Sequence, residues 1–186
     1  MKKIIALALC LMLVLCAAAC PAETEEKAEL GTLKVGGAFS IRSRIPEGYT
    51  FTLITSDELN LIGLLEGGEG KPLVTVTIGY SEEYADVERF NDVDDETVEQ
   101  IKESFLEMDD VAFEDLETAY GTRLLKVTST DKSFADIYTI YKGYEMEFYI
   151  FSVAEEGITD ADVKMLVDFI SDMDFVALVE EAVAAE

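Results

Sequence analysis

Apolar residues at every second position dominate this chain, and that spacing restricts it to a fold built largely on β-sheet. The clearest instance is the stretch 74–80, where Val74, Val76, Ile78 and Tyr80 alternate with Thr75, Thr77 and Gly79. Strong β-formers of this kind suit a sheet with two unequal faces. The same spacing predicts strands over 39–45, 51–54, 59–65, 113–116 and 123–128. Turn signals separate them: Pro46-Glu47-Gly48, Ser56-Asp57, the glycine-rich run 66–70 and Tyr120-Gly121.

Two further strands, 134–141 and 144–153, join through Lys142-Gly143 as a hairpin. A two-residue type I′ turn needs positive φ at Lys142, which a Cβ opposes, so the local chemistry favours a three-residue loop, Tyr141-Lys142-Gly143, with a bulge at the glycine. That register sets Ile140 opposite Tyr144, Tyr138 opposite Met146, Asp136 opposite Phe148 and Phe134 opposite Ile150 on the core face. Ala135, Ile137 and Thr139 then lie beside Glu145, Glu147, Tyr149 and Phe151 on the other. In either register Met146, Phe148 and Ile150 share one face, and Glu145, Glu147 and Tyr149 the opposite one.

Twice the period lengthens to three and four. Val98, Ile101, Phe105 and Met108 follow the N-cap candidates Asp94 and Asp95 and predict a helix over 95–108. Thr159, with Asp162 in the capping-box position, opens a second helix whose stripe is Val163, Leu166, Val167 and Ile170. The Ala- and Glu-rich end, 176–186, is expected to fray. Strands, a helix, more strands and a last helix describe an α+β domain, a largely antiparallel sheet with two main helices packing on it. Several strands are apolar on both sides, which calls for a helix on each face.

The N-terminus reads as an export signal. Lys2 and Lys3 precede an apolar run from residue 4 to residue 15, shorter than the roughly 20 residues that span a bilayer. Ala17, Ala18 and Ala19 lead to Cys20, Pro21 and Ala22, and the chain then turns acidic. Two routes fit: cleavage after Ala22, making 1–22 a signal peptide, or processing at Cys20 as a lipidated N-terminus. Either route places the mature chain outside the cytoplasm, secreted or lipid-anchored, with Cys20 the sole link to a membrane. Residues 23–32 form an acidic leader and 33–175 a single domain. The three cysteines, Cys10, Cys16 and Cys20, all lie near the signal, so the domain holds no internal disulfide and is stabilised by its core.

Charge narrows function by exclusion. With 39 acidic and 14 basic residues the formal net charge is −25, and there is no histidine. Nucleic acid is not an expected partner, because phosphate binding needs a basic footprint. Nucleophilic triads that rely on histidine are excluded. The run 66–71 fails as a phosphate loop, since Leu65 stands at its first glycine and Pro72 at its hydroxyl position. Asp92, Asp94, Glu96 and Glu103 share spacing with a calcium loop, but Thr97 replaces the required glycine. No catalytic residue, cofactor or metal site is read from the sequence. A carboxylate-dependent hydrolase acting outside the cytoplasm is the alternative reading, because two of so many acids can always be paired.

The strand over 39–45 running into Ile45-Pro46-Glu47-Gly48-Tyr49, the helix at 95–108, the hairpin, and the closing helix ending in Phe169-Ile170-Ser171-Asp172-Met173-Asp174-Phe175 together resemble the PsbP-like α/β/α sandwich superfamily. Its members include a photosystem II extrinsic subunit, a Ran-binding nuclear transport factor and exported bacterial proteins. The resemblance implies a binding or assembly-accessory module rather than an enzyme. The metal-binding histidines of photosynthetic members have no counterpart here. The expected function is therefore a non-catalytic module that engages a protein or envelope component. Glu145, Glu147 and Tyr149 are its candidate partner-binding residues, an acidic, aromatic patch for a basic partner. The competing assignment has the closing helix cover Tyr149 and Phe151, with the glutamates at a wet margin.

Overall fold

In the computed structural model, which describes residues 32–35, 39–42, 44–56, 59–106, 110–152, 156–171 and 173–177, the period-two segments assemble into a seven-stranded antiparallel sheet. Its strands are β3 (Tyr49–Ser56), β4 (Asn60–Gly67), β5 (Leu73–Tyr80), β6 (Val111–Glu117), β7 (Arg123–Ser129), β8 (Phe134–Tyr141) and β9 (Tyr144–Phe151). They lie in the order β3-β4-β5-β9-β8-β7-β6. The pairing of β5 with β9 joins two meanders of the chain, so β3 and β6 form the two margins. A second, three-stranded sheet has the order β1 (Thr32–Val35), β2 (Phe39–Arg42), β10 (Asp174–Ala177).

One face of the large sheet is apolar because the alternation is strict. Val74, Val76, Ile78, Met146, Phe148, Ile150, Ala135 and Ile137 are buried there against Leu166, Phe169 and Ile170 of helix α2 (Asp160–Ser171). Phe148 and Phe169 meet edge to face with centroids 6.3 Å apart. Each fully buried side chain of this size contributes about 1.5–3 kcal/mol. On the opposite face, helix α1 (Asp95–Phe105) places Val98, Ile101 and Phe105 over Leu125, Val127, Tyr138 and Ile140. Tyr84 and Phe90, from two short 3-10 turns at Glu82–Tyr84 and Phe90–Asp92, complete this second cluster. Helices thus pack on both faces. That is why β8 is buried on every residue from Ala135 to Ile140.

Both helices start where their sequences indicate. The Asp94 carboxylate accepts from the Thr97 amide at 2.9 Å, which holds its pKa below the ordinary carboxylate value. The Thr159 amide and hydroxyl donate to Asp162 at 2.9 and 2.6 Å, and the Asp162 amide donates back to the Thr159 hydroxyl at 3.3 Å. This is a capping box with aspartate in the glutamate position.

The hairpin corrects the expected register. Tyr141 pairs with Tyr144 and Ile137 with Phe148, which leaves a two-residue turn with φ 50° at Lys142 and 78° at Gly143. The left-handed conformation costs Lys142 roughly 1–2 kcal/mol, and tertiary contacts offset it. The Lys142 and Gly143 amides donate to the Glu88 and Val87 carbonyls at 3.0 and 3.1 Å. A Cβ on Gly143 would lie 3.0 Å from the Tyr80 ring and 3.2 Å from the Ala85 Cα. The shift moves Ala135, Ile137 and Thr139 onto the face of Phe148, and Asp136, Tyr138 and Ile140 onto the face of Glu145. It also overturns the idea that the closing helix covers Tyr149 and Phe151, since α2 packs on the other side of β9.

The domain limits shift slightly as well. Thr32, assigned to the leader, pairs with Arg42 in β1. Val176 and Ala177, assigned to the fraying end, pair with Ser40 and Phe39 in β10. Backbone pairing to β2 overrides the weak apolar pattern of these residues. The strand expected over 39–45 stops at Arg42, while Ile45 packs against the main core. Residues 1–22, expected to be a signal peptide, with Cys20 among them, and residues 178–186 lie outside the described residues.

Candidate functional site

Glu145, Glu147 and Tyr149 project from β9 onto one face, as the alternation requires. Their cross-strand partners are Gly79, Thr77 and Thr75 on β5, and Ile140, Tyr138 and Asp136 on β8. The structure ties Glu145 and Tyr149 inward. The Tyr138 hydroxyl donates to the Glu145 carboxylate at 3.1 Å. Tyr138 itself is buried between Phe90 and Phe105, with centroids 5.6 and 6.0 Å away. Burial, and after it the negative charge of Glu145, pushes the Tyr138 phenol far above its ordinary value. Tyr149 stacks on Phe134 at 5.1 Å and leans on Phe151 at 4.3 Å. Burial, then the charge of Asp136, raises its phenol. The side chains of Glu145, Glu147 and Tyr149 are all half-buried. They therefore act first as a packed border between the helix α1 cluster and the aromatic end of β9.

A surface of different character lies at the β3 margin. Strand β3, Tyr-Thr-Phe-Thr-Leu-Ile-Thr-Ser, carries no charge over its whole length and among the described residues pairs on one side only, with β4. Its register shifts between Leu53 and Thr55, so Ile54 has no partner across the pair, and a bulge of this kind bends the strand locally. Leu53 is 48% exposed, Ile54 36%, and Leu59, at the start of β4, 48%. Three large apolar side chains are thus exposed along β3 and at the residue that leads into β4. The Phe51 ring lies over Gly63, where a Cβ would overlap it. Beside the strand, the Thr52 hydroxyl donates to Glu66 at 3.4 Å.

Sequence reading found β3 as a short strand over 51–54 but not as a margin, because pairing order is set by long-range contacts. The available signal was composition: from Tyr49 to Ser56 no residue is charged, in a chain where Asp, Glu, Lys and Arg make up 28%.

Among the described residues, no group of three or more Asp, Glu, His or Cys side chains is placed to hold a metal ion, and no helix is long and apolar enough to cross a membrane. Asp94 spends its carboxylate on the cap of α1, and the helix begins inside the stretch with calcium-loop spacing. No protein-family model matches the chain, and no curated protein or solved structure is significantly similar to it.

Proposed function

We propose that this chain is an exported, non-catalytic binding or assembly-accessory module of the cell envelope, with the PsbP-like sandwich as the finer description of its fold. The observation that carries the reading is the β3 margin, where Leu53 and Ile54 are exposed on a strand without charge, with Leu59 exposed just before β4. An acidic, self-repelling chain gains nothing in solubility from such a patch, whereas a docking module needs one. The half-buried Glu147 and Tyr149 face supplies an adjoining polar surface rather than the anchor.

The docking reading is tested with a photo-crosslinking amino acid in place of Leu59, and in a second protein in place of Tyr120, which is 75% exposed at a distant turn. In the cells that make the protein, a discrete adduct is expected from position 59 and not from 120. Equal adducts, or none from either, overturn the reading. Export is tested by the intact mass of the envelope-associated protein. The expected N-terminus is a lipid-modified Cys20 or a residue near Glu23, and the unprocessed chain as main species refutes it.

A further inference from the structure

Strand β3 presents two rows to anything laid alongside it. Tyr49, Phe51 and Leu53 lie on the face that carries the α2 core, whereas Thr50, Thr52 and Thr55 lie on the other, with Glu66 hydrogen-bonded to Thr52. A strand added here would continue the first row with alternate side chains and the second row with the intervening ones. The first row asks for apolar residues.

The second row lies next to a carboxylate, and the strand is flanked in sequence by Glu47 on one side and by Asp57 and Glu58 on the other. Lys71 adjoins it, and its ammonium donates to the Glu47 carbonyl at 2.8 Å and sits 4.9 Å from the Tyr49 ring centre. A second copy of the chain brings the same acids and the same net charge of −25 to the contact. Repulsion therefore opposes pairing of β3 with itself.

We infer that β3 receives an added strand from a partner protein, an extended segment in which apolar residues alternate with lysine or arginine. This rests on the reading of the β3 margin as the docking element. Main-chain hydrogen bonds to the outward amides and carbonyls of β3 supply affinity, and the two rows supply register and sign of charge.

The test uses the chain from Glu23 onward and three short peptides matching β3 in length: alternating valine and lysine, alternating valine and glutamate, and valine and lysine in separate blocks. Binding is followed by fluorescence anisotropy, and the contact by amide hydrogen exchange. The alternating lysine peptide is expected to bind best and to slow exchange at alternate amides of Tyr49–Ser56. Thr50→Lys with Thr52→Lys, checked by circular dichroism to be folded, is expected to weaken it by about tenfold or more.

Equal binding of the glutamate peptide overturns the charge assignment. Equal binding of the block peptide overturns the strand geometry. Protection on the Glu145–Tyr149 face instead of β3 overturns the location, and protection of β3 with doubling of mass and no peptide assigns the margin to a second copy. If peptide binding fails while the position-59 adduct persists, strand addition is refuted and the docking reading stands. If both fail, both are refuted.

Discussion

The two margins of the large sheet solve the same physical problem in opposite ways. Strand β6 ends the sheet with Glu114, Asp115 and Glu117 in a strand of seven residues, two of them in ion pairs with the neighbouring strand: Glu114 with Lys126, and Asp115 with Arg123 at 2.8 Å. Charges on a margin block the approach of another strand, because pairing would desolvate them. Strand β3 carries none. Exposed ion pairs of this kind add little stability, about 0–1 kcal/mol each, so the contrast concerns what each margin admits rather than how firmly it is held.

If the contrast belongs to the margins alone, damage to the shared interior must release both together. Phe148→Ala, beneath α2 in the centre of the sheet, is expected to lose about 3–5 kcal/mol, with amides of β3 and β6 deprotected in parallel during hydrogen exchange in urea. Persistence of one margin would show two independently stable halves.

A lesion confined to one side should separate them. Gly63→Ala forces the Phe51 ring off its seat on β4 and is expected to cost about 1–3 kcal/mol through overpacking. Amide exchange should quicken in β3 and stay unchanged in β6.

Alkaline pH weakens the interior and reaches one margin through Tyr49 of β3. The phenols of Tyr49, Tyr84, Tyr138, Tyr144 and Tyr149 are all raised from 10.0, chiefly by burial, that of Tyr84 to about 12. The unfolded chain therefore releases these protons first. Stability is fully present below pH 10 and declines as pH rises through 10 toward the folded values. Urea midpoints measured across that range should fall, and Tyr138→Phe should flatten the decline. An unchanged slope would show that the Tyr138 phenol is not buried in the folded chain.

The smallest expected effect on stability is the most informative about the contrast. Leu53→Lys with Ile54→Lys should leave the unfolding free energy within about 0.5 kcal/mol while closing β3 to strand addition. Glu114→Gln with Asp115→Asn should also change stability by at most about 1 kcal/mol per ion pair lost, yet raise self-association in sedimentation. Failure of the second variant to associate would mean that β6 is protected by its shape and not by its charges.

What could be read from sequence was local. Asp94 and the Thr159–Asp162 pair announce their helices because each cap is decided within three residues. The grouping of Met146, Phe148 and Ile150 follows from pleating alone and holds in any register. The hairpin turn is not legible in sequence because the cost at Lys142 is local, while its compensation comes from Val87 and Glu88, far away in the chain. Phe90 and Tyr84 gave no periodic signal, since 3-10 turns are too short to show one, yet both close the α1 cluster. The candidate patch on β9 was legible as a set of residues sharing a face. Its inward commitments, Tyr138 to Glu145 and Phe134 to Tyr149, depended on register and partner strands that sequence does not reveal.

The small sheet has a mechanical consequence. Thr32 sits opposite Arg42 at one end of β2, and Ala177 sits opposite Phe39 at the other. The start of β1 and the end of β10 therefore lie at opposite ends of β2. Tension applied between these two points slides β1 and β10 along β2, loading the rungs of both ladders together, whereas peeling would break them one at a time. An assembly that pulled on the domain through its two ends would meet a shear clamp before it reached the large sheet.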